Sequence, residues 1–301
     1  MVNRECWVNC RKLGWPSLGW SQGWKLKNIT NKSLIISDGC CVQYGDALAL
    51  DDVTFSITEG KLVAVVGPNG GGKSTLFNAM AGITPLSHGS LKIKGLDPSD
   101  ARSFIGYVPQ NNQINWNFPL SVKQVVEMGL IRKNTFNPFS NKKNNEIIEE
   151  SLSKVGLLER IDENINNLSG GQIQRVLLAR TLTQGADILL LDEAFSAVDI
   201  GAEEDVMKII NDIKQDGKTI LIATHDINNI EEKYDEVLCL NRHCCAFGDP
   251  SEVLTEDVVE EMYGSHNQIL KEHRPGSHGD SNGNWDFNRT IRVWFYGACL
   301  N

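Results

Sequence analysis

A glycine-rich segment between an apolar run and a helical run constrains the fold of this chain most strongly. Residues 62–67 form a short, continuous apolar run, which predicts a buried parallel strand, and residues 76–81 are typical of a helix. The segment between them fits the pattern G-x-x-x-x-G-K-[ST]. It predicts a phosphate-binding loop made of Gly67, Pro68, Asn69, Gly70, Gly71, Gly72, Lys73, Ser74 and Thr75.

The composition of this loop follows from the chemistry of phosphate binding. Glycines let the backbone curl so that its N–H groups point toward the phosphates, and the following helix adds its positive N-terminal end. Lys73 is expected to neutralise the β- and γ-phosphates, and the Ser74 hydroxyl to ligate Mg²⁺. A glycine-rich turn can also be merely structural, but lysine and serine in register between a strand and a helix favour nucleotide binding.

Two acidic residues follow a second apolar run. Residues 188–191 read Ile-Leu-Leu-Leu, and Asp192 and Glu193 come next. Carboxylates at a strand end can be ordinary solvated turn residues. Beside a phosphate loop, Asp192 is expected near Mg²⁺, and Glu193 near the γ-phosphate, where it would orient and deprotonate water.

Strand-like and helix-like segments alternate along the middle of the chain. Helices are predicted at residues 145–155, 172–182 and 202–215, and further buried strands at 104–108, 219–223 and 236–240. This alternation predicts an α/β domain with a mostly parallel sheet. Residues 34–57 are predicted to form short strands and turns that lead into the core. No internal repeat is visible, which indicates one such domain.

Composition limits the classes of partner. The formal net charge of −9 argues against a sequence-independent grip on nucleic acid, so no nucleic-acid partner is expected. No apolar stretch approaches the roughly 20 residues that cross a bilayer, and a cytoplasmic protein is expected. The eight cysteines include no C-x-x-C pair, and reduced thiols are the expected state.

The two ends of the chain differ from its middle. Residues 1–35 hold four of the seven tryptophans without a sustained period, and residues 266–301 contain a linker-like stretch from about residue 273. Both are predicted to be poorly ordered extensions, a leader and a flexible tail, around a domain at 36–265. A docking role for the leader tryptophans is the alternative.

Several short segments, in a fixed order, resemble the ATPase domain of ABC proteins. Residues 168–175, Leu-Ser-Gly-Gly-Gln-Ile-Gln-Arg, are similar to the family's signature sequence, and they precede Asp192 at the family's spacing. Gln110, residues 196–199 and His225 match further motifs, and Tyr44 matches an aromatic residue that stacks on adenine. The resemblance implies a P-loop NTPase fold of the ABC type. That fold has a mostly parallel core sheet, an N-terminal antiparallel β subdomain and a helical subdomain at about 111–180.

The resemblance also implies roles for individual residues. Two copies are expected to pair head to tail, with ATP between Lys73 of one copy and Ser169 of the other, and Ser169 opens a helix that offers an anion site. Glu193 is the expected general base, and Ala194 stands where the family commonly has proline. The remaining expected contacts are His225 with the γ-phosphate, Gln110 with Mg²⁺ and water, Asp199 across the dimer, and Gly170, Gly171 and Gln172 with nucleotide.

The segment after Gln110 resembles the manganese, zinc and iron-chelate uptake group. This likeness rests on Trp116, the pair Phe118-Pro119 and residues 125–129. It implies two integral-membrane permease subunits, a substrate-binding protein, a position on the inner face of the cell membrane, and import of manganese or zinc. Two alternatives remain. Trp116 and Phe118 can be core residues of a helical subdomain, and the chain can be a soluble ABC-type ATPase, for example in iron–sulfur assembly.

Two groups of metal-ligating residue types lie outside these motifs. Cys239, His243, Cys244 and Cys245 are close in sequence and can form a regulatory metal site, or they can be core and surface residues of an apolar strand. His266, His273 and His278 lie near the tail, where solvated histidines are the simpler interpretation.

Overall fold

The structure is a computed structural model that describes residues 33–110, 119–130, 140–193, 200–225, 227 and 229–263. One compact unit begins at Leu34 and contains all the elements below, apart from the first residue of β1. The sequence predictions for Trp116, Phe118, Ala194 and Asp199, and for the tail from residue 266 onward, lie outside the described residues. The predicted leader, as far as residue 32, also lies outside the described residues.

The described strands form two sheets. A three-stranded sheet has the order β2-β1-β4, and a six-stranded sheet has the order β5-β6-β7-β3-β8-β9. The strands are β1 (Ser33–Tyr44), β2 (Ala47–Thr58), β3 (Leu62–Val66), β4 (His88–Ile93), β5 (Ile105–Val108), β6 (Ile188–Asp192), β7 (Thr219–Thr224), β8 (Glu236–Asn241) and β9 (His243–Gly248).

Nine helices lie between and after these strands in the described ranges. They are α1 (Lys73–Met80), α2 (Pro98–Ala101), α3 (Val122–Glu127), α4 (Ser140–Lys154), α5 (Gly170–Gln184), α6 (Ile200–Gln215), α7 (Ile230–Lys233), α8 (Pro250–Val253) and α9 (Glu256–Tyr263). Short 3₁₀ turns occupy Arg102–Phe104, Met128–Leu130, Leu158–Arg160 and Ile165–Asn167. None of the helices among these residues combines the length and apolar character needed to cross a bilayer.

The six-stranded sheet is parallel except at one edge. The pairs β5–β6, β6–β7, β7–β3 and β3–β8 are parallel, and β9 pairs antiparallel with β8. Every residue of β3 and of β6 is buried, as expected for strands covered on both faces. The prediction of a mostly parallel α/β sheet is confirmed. The apolar runs predicted as strands form its inner members β3, β6, β7 and β8 and the edge strand β5.

The smaller sheet differs from the sequence prediction in the length of its strands. β1 and β2 each span 12 residues, where short strands and turns were expected. A register shift between Asp38 and Cys41 interrupts the alternation of β1 and hides its full length from a pattern of period two. β1 also begins at Ser33, so the predicted leader at 1–35 overlaps the strand by three residues. The predicted antiparallel β subdomain is present, with β1 pairing antiparallel to β4.

Helices α3, α4 and α5 pack together into a helical unit. Val126, Ile148 and Leu177 lie in one buried cluster that continues into the large sheet through Leu189 and Ile222. The side chains of Ser121 and Ser169 cap α3 and α5 respectively, each in a reciprocal capping box with the glutamine three residues later. The shared apolar cluster joins the helical unit to the large sheet.

This topology gathers the ends of four strands at one edge. β3, β5, β6 and β7 run parallel, so their carboxyl ends lie at the same side of the sheet. The loop at Gly67 follows β3, Gln110 follows β5, Asp192 ends β6, and His225 follows β7. Open parallel sheets place ligands at this edge, so the fold brings together residues far apart in sequence.

The core position Ile220 provides a test of this packing. Ile220 is fully buried in β7 between β3 and β6, whereas Ile83 is 61% exposed. We expect Ile220→Ala to lower the free energy of unfolding by about 2–5 kcal/mol, because it leaves a cavity in a close-packed sheet. Ile83→Ala should change it by less than about 0.5 kcal/mol. Urea unfolding followed by circular dichroism measures both, and equal effects of the two substitutions would contradict the described core.

Candidate active site

The phosphate loop joins β3 to α1 through a tight backbone turn. Gly72 has a φ of 96°, and a Cβ atom there would lie 2.6 Å from the Leu50 side chain. A Cβ atom at Gly67 would overlap the carbonyl oxygen of Leu240. The Gly71 N–H donates to the Pro68 carbonyl over 3.0 Å, which closes the turn. The glycines are therefore required by close backbone approach, and Asn69 and Gly70 form the exposed tip of the loop.

Lys73 is held inside the loop. Its Nζ donates to the carbonyl oxygens of Gly67, at 2.8 Å, and Pro68, at 3.1 Å, and the residue is only 5% exposed. Burial lowers the pKa of Lys73, and the charges of Glu193 and Asp192 partly oppose that effect. The ammonium group is thus fixed by its own loop and lies within reach of two carboxylates.

Asp192 is a fully buried carboxylate at the end of β6. Burial raises its pKa, as does the charge of Glu193, whereas hydrogen bonds from Ser74 and Tyr107 and the charge of Lys73 lower it. The Tyr107 hydroxyl donates to Oδ2 over 3.2 Å, and burial raises the pKa of Tyr107, so this phenol remains a donor. Oδ1 has no hydrogen-bond partner among the described residues.

This unpartnered oxygen fits a bound cation. A buried carboxylate oxygen is costly unless hydrogen bonds or a metal compensate it. Asp192 and Ser74 offer the hard oxygen ligands that Mg²⁺ prefers when it is bound by few protein groups and by phosphates. The residues present therefore fit Mg²⁺ together with a polyphosphate.

Glu193 lies next to Asp192 and contacts Gln110. The Gln110 Nε2 donates to the Glu193 Oε2 over 2.6 Å, although the two residues are far apart in sequence. The backbone of Glu193 has a φ of 48°, and its N–H donates to the Ala223 carbonyl over 3.1 Å. A non-glycine residue in the left-handed region carries strain, which proteins tend to retain at functional sites. The structure thus holds this carboxylate in one orientation.

His225 follows β7 with an exposed side chain. Its carbonyl oxygen accepts a hydrogen bond from the Tyr263 hydroxyl over 3.3 Å. Tyr263 is the last residue of α9, so that helix supports the backbone at His225. Tyr44, at the end of β1, is 50% exposed, and its hydroxyl lies 3.2 Å from the Thr84 hydroxyl. An exposed ring at this position is available for stacking.

Ser169 and Gln172 open α5. The Gln172 N–H donates to the Ser169 Oγ over 3.3 Å, and the Ser169 N–H donates to the Gln172 Oε1 over 2.9 Å. Gly170 and Gly171 form the first turn of the helix. Ser169 therefore begins a helix, as predicted. It belongs to the helical unit and not to the loop after β3.

Sequence reasoning missed three groups that support the site. Tyr107 lies three positions before Gln110, and its contact with Asp192 spans 85 positions. The turn between β8 and β9 supports the loop from behind, because the Arg242 N–H donates to the Gly71 carbonyl over 2.7 Å. Tyr263 contacts the backbone of His225. No sequence pattern signals these contacts, since each joins elements that only the fold brings together.

The assembled residues have complementary chemical properties. A lysine and backbone N–H groups can neutralise phosphates, and a hydroxyl with a buried carboxylate can hold Mg²⁺. A second carboxylate, oriented by an amide, can accept a proton from water. Lys73, Ser74, Asp192, Glu193 and Gln110 are brought together, and these are the parts that nucleotide hydrolysis requires.

Asp192 and Asp187 form a matched pair at opposite ends of β6. Asp187 precedes β6 and pairs with Lys94 at 2.5 Å and Lys218 at 3.2 Å. We expect Asp192→Asn to weaken Mg²⁺-dependent nucleotide binding by at least the roughly tenfold that loss of an outer-shell partner costs. Asp187→Asn should leave the Mg²⁺ dependence unchanged. Titration of Mg²⁺ against a fluorescent ATP analogue measures this, and an unaltered Mg²⁺ requirement in Asp192→Asn would contradict the assignment.

Comparison with known proteins identifies the family. The family model described as "ABC transporter" matches residues 50–196. The manganese transport system ATP-binding protein MntB of Bacillus subtilis is 38% identical over 235 residues, which cover 78% of this chain and 94% of that protein. The zinc transport system ATP-binding protein TroB of Treponema pallidum is 37% identical over 227 residues, covering 75% and 85% respectively.

A solved structure agrees with these relatives. A metal-chelate type ABC transporter in an inward-facing conformation superposes with a TM-score of 0.67 and 27% identity, over 77% of this chain and 89% of that chain. The predicted ABC-type fold is confirmed. The chain belongs to the ABC transporter family, in which it is an ATP-binding subunit that hydrolyses ATP.

Proposed function

We propose that this chain hydrolyses Mg²⁺-ATP with Glu193 as general base, and that hydrolysis drives import of manganese or zinc. The observation that carries the catalytic part is the buried Asp192 carboxylate, whose Oδ1 has no partner among the described residues, beside the buried Lys73. The buried carboxylate is complementary to a metal ion, and the buried ammonium group is complementary to a phosphate chain.

Each residue of the site has a separate role in the proposed reaction. The phosphate loop and Lys73 bind and neutralise the β- and γ-phosphates, and Ser74 and Asp192 hold the metal. Mg²⁺, when bound, supplies charge neutralisation on the phosphate oxygens. Glu193 takes a proton from the attacking water, and the hydrogen bond from Gln110 fixes the orientation of its carboxylate. His225 contacts the γ-phosphate, and Tyr44 stacks on the adenine ring.

Ser169 supports the proposal of a head-to-tail homodimer. The start of α5 presents N–H groups and a hydroxyl, a second anion site on a separate part of the chain from the loop after β3. Pairing of two copies brings the Ser169 end of one copy against the ATP bound to Lys73 of the other, with Gly170, Gly171 and Gln172 in the same contact. Asp199 is proposed to act across this interface.

Two permease subunits and a substrate-binding protein are the proposed partners. The relatives are named as ATP-binding proteins of manganese and zinc transport systems, and they cover most of this chain. Such a subunit works at the inner face of the cell membrane, against subunits that cross it. These names favour a transporter over the alternative of a soluble ATPase in iron–sulfur assembly.

The cargo can be identified by elemental analysis of native cells that carry Glu193→Gln. Because the substitution removes the general base, purified protein should lose about 10²–10⁴-fold in ATP turnover while still binding nucleotide. We expect a selective fall in cellular manganese or zinc relative to wild type. The same analysis also measures cellular iron, so the metal whose content falls identifies the cargo.

The control is Glu204→Gln on α6, where the carboxylate is exposed. It makes the same chemical change away from the site and should leave metal content and turnover at the wild-type level. With the variant stably expressed and redundant importers deleted, unchanged manganese, zinc and iron would disprove the proposed cargo. Undiminished ATP turnover in Glu193→Gln would instead disprove the role of this residue.

A further inference from the structure

A histidine, a cysteine and a glutamate converge outside the nucleotide site. His243 and Cys245 lie on the edge strand β9, and Glu261 lies on α9, which packs against β8 and β9. We propose that His243, Cys245 and Glu261 form a binding site for a thiophilic divalent cation, of which zinc(II) is the type. This site is separate from the residues proposed to hold Mg²⁺.

The positions of the three ligand atoms carry the proposal. The Nε2 of His243 lies 3.0 Å from the Oε1 of Glu261 and 3.6 Å from the Sγ of Cys245, and all three atoms lie within 4.8 Å of one another. Zinc–ligand bonds of about 2.0–2.3 Å at tetrahedral angles place ligand atoms roughly 3.3–3.6 Å apart. The observed separations bracket this range, so the three atoms lie near the spacing of zinc ligands.

Residues of β9 and α9 meet in this arrangement. His243 and Cys245 are two positions apart on β9, at a register shift in its pairing with β8, and α9 supplies Glu261. Cys245, which is 4% exposed, packs with Cys239 and Met262 in a buried apolar cluster. An apolar shell limits access of water and strengthens the bonds between the ligands and a cation.

The ligand types at the cluster are also suited to a cation. A ring nitrogen of His243 and a carboxylate oxygen of Glu261 can donate electron pairs to a metal ion, and the Cys245 thiol binds as a thiolate once it releases its proton. Thiolate with imidazole selects zinc over manganese or magnesium, which prefer oxygen ligands. The cation class is therefore set by the Cys245 sulfur.

The site adjoins the support of the phosphate loop. His243 directly follows Arg242, whose N–H donates to the Gly71 carbonyl and whose carbonyl accepts from the Asp51 N–H, both over 2.7 Å. A cation bound by His243 and Glu261 ties α9 to the strand that begins at this turn. The bound ion thereby stabilises the backbone that contacts the phosphate loop from behind.

Cobalt(II) and zinc(II) titrations of the full chain test the proposal. The protein is stripped with a chelator and measured without nucleotide in excess Mg²⁺. We expect one equivalent of cobalt(II) to give a thiolate-to-metal charge-transfer band, and zinc(II) to displace it. His243→Ala, Glu261→Gln and Cys245→Ser should each weaken zinc binding by at least about tenfold, and Cys245→Ser should remove the band.

Cys41→Ser is the matched control, because Cys41 is a half-buried thiol on β1 outside the cluster. It should retain both the band and the affinity. If Cys245→Ser does not fold, Glu261→Gln decides the question, because it nearly preserves side-chain shape and Glu261 is partly exposed. The proposal is overturned if no charge-transfer band forms in wild type, or if folded His243→Ala and Glu261→Gln bind zinc as tightly as wild type does.

Discussion

The attraction between the phosphate loop and the carboxylates of Asp192 and Glu193 is the interaction on which the rest of this structure depends. Lys73 and Asp192 are both buried at the carboxyl edge of the sheet, where an uncompensated charge would be costly. Each is compensated within the fold, Lys73 by loop carbonyls and Asp192 by Ser74 and Tyr107, and one oxygen of Asp192 remains for a metal. The parallel order of β3, β5, β6 and β7 is what brings these groups together.

Support from outside the loop matters as much as the loop itself. The β8–β9 turn closes against Gly71, the Leu240 carbonyl excludes any side chain at position 67, and Tyr263 of α9 contacts the backbone of His225. These contacts make β8, β9 and α9 a common base for the phosphate loop and for the backbone at His225. A zinc-class cation at His243, Cys245 and Glu261 would bind within this base and would give α9 a direct physical connection to the phosphate loop.

Local pattern predicted the parts of the fold whose signals are continuous in sequence. Apolar runs predicted β3, β6 and β7, and short motifs predicted the loop at Lys73 and the helix that Ser169 opens. Each of these signals lies within one turn or strand. The full length of β1 was missed, because the register shift near Asp38 breaks its alternation. The partnership of Tyr107 with Asp192 and of His243 with Glu261 could not be predicted, because those residues lie on different elements and only tertiary packing joins them. The site roles that rest on family resemblance, above all those of Asp199 and of Ser169 across a dimer, stay predictions.

In the proposed dimer, one ATP is held between the phosphate loop of one copy and the Ser169 end of α5 of another. An experimental structure of the Glu193→Gln chain with ATP and Mg²⁺ bound tests this arrangement. We expect two copies, with each γ-phosphate between Lys73 of one copy and Ser169 of its partner, and Mg²⁺ beside Ser74 and Asp192. A single copy that encloses ATP and Mg²⁺ with Ser169 facing solvent, at saturating nucleotide and high protein concentration, would contradict it.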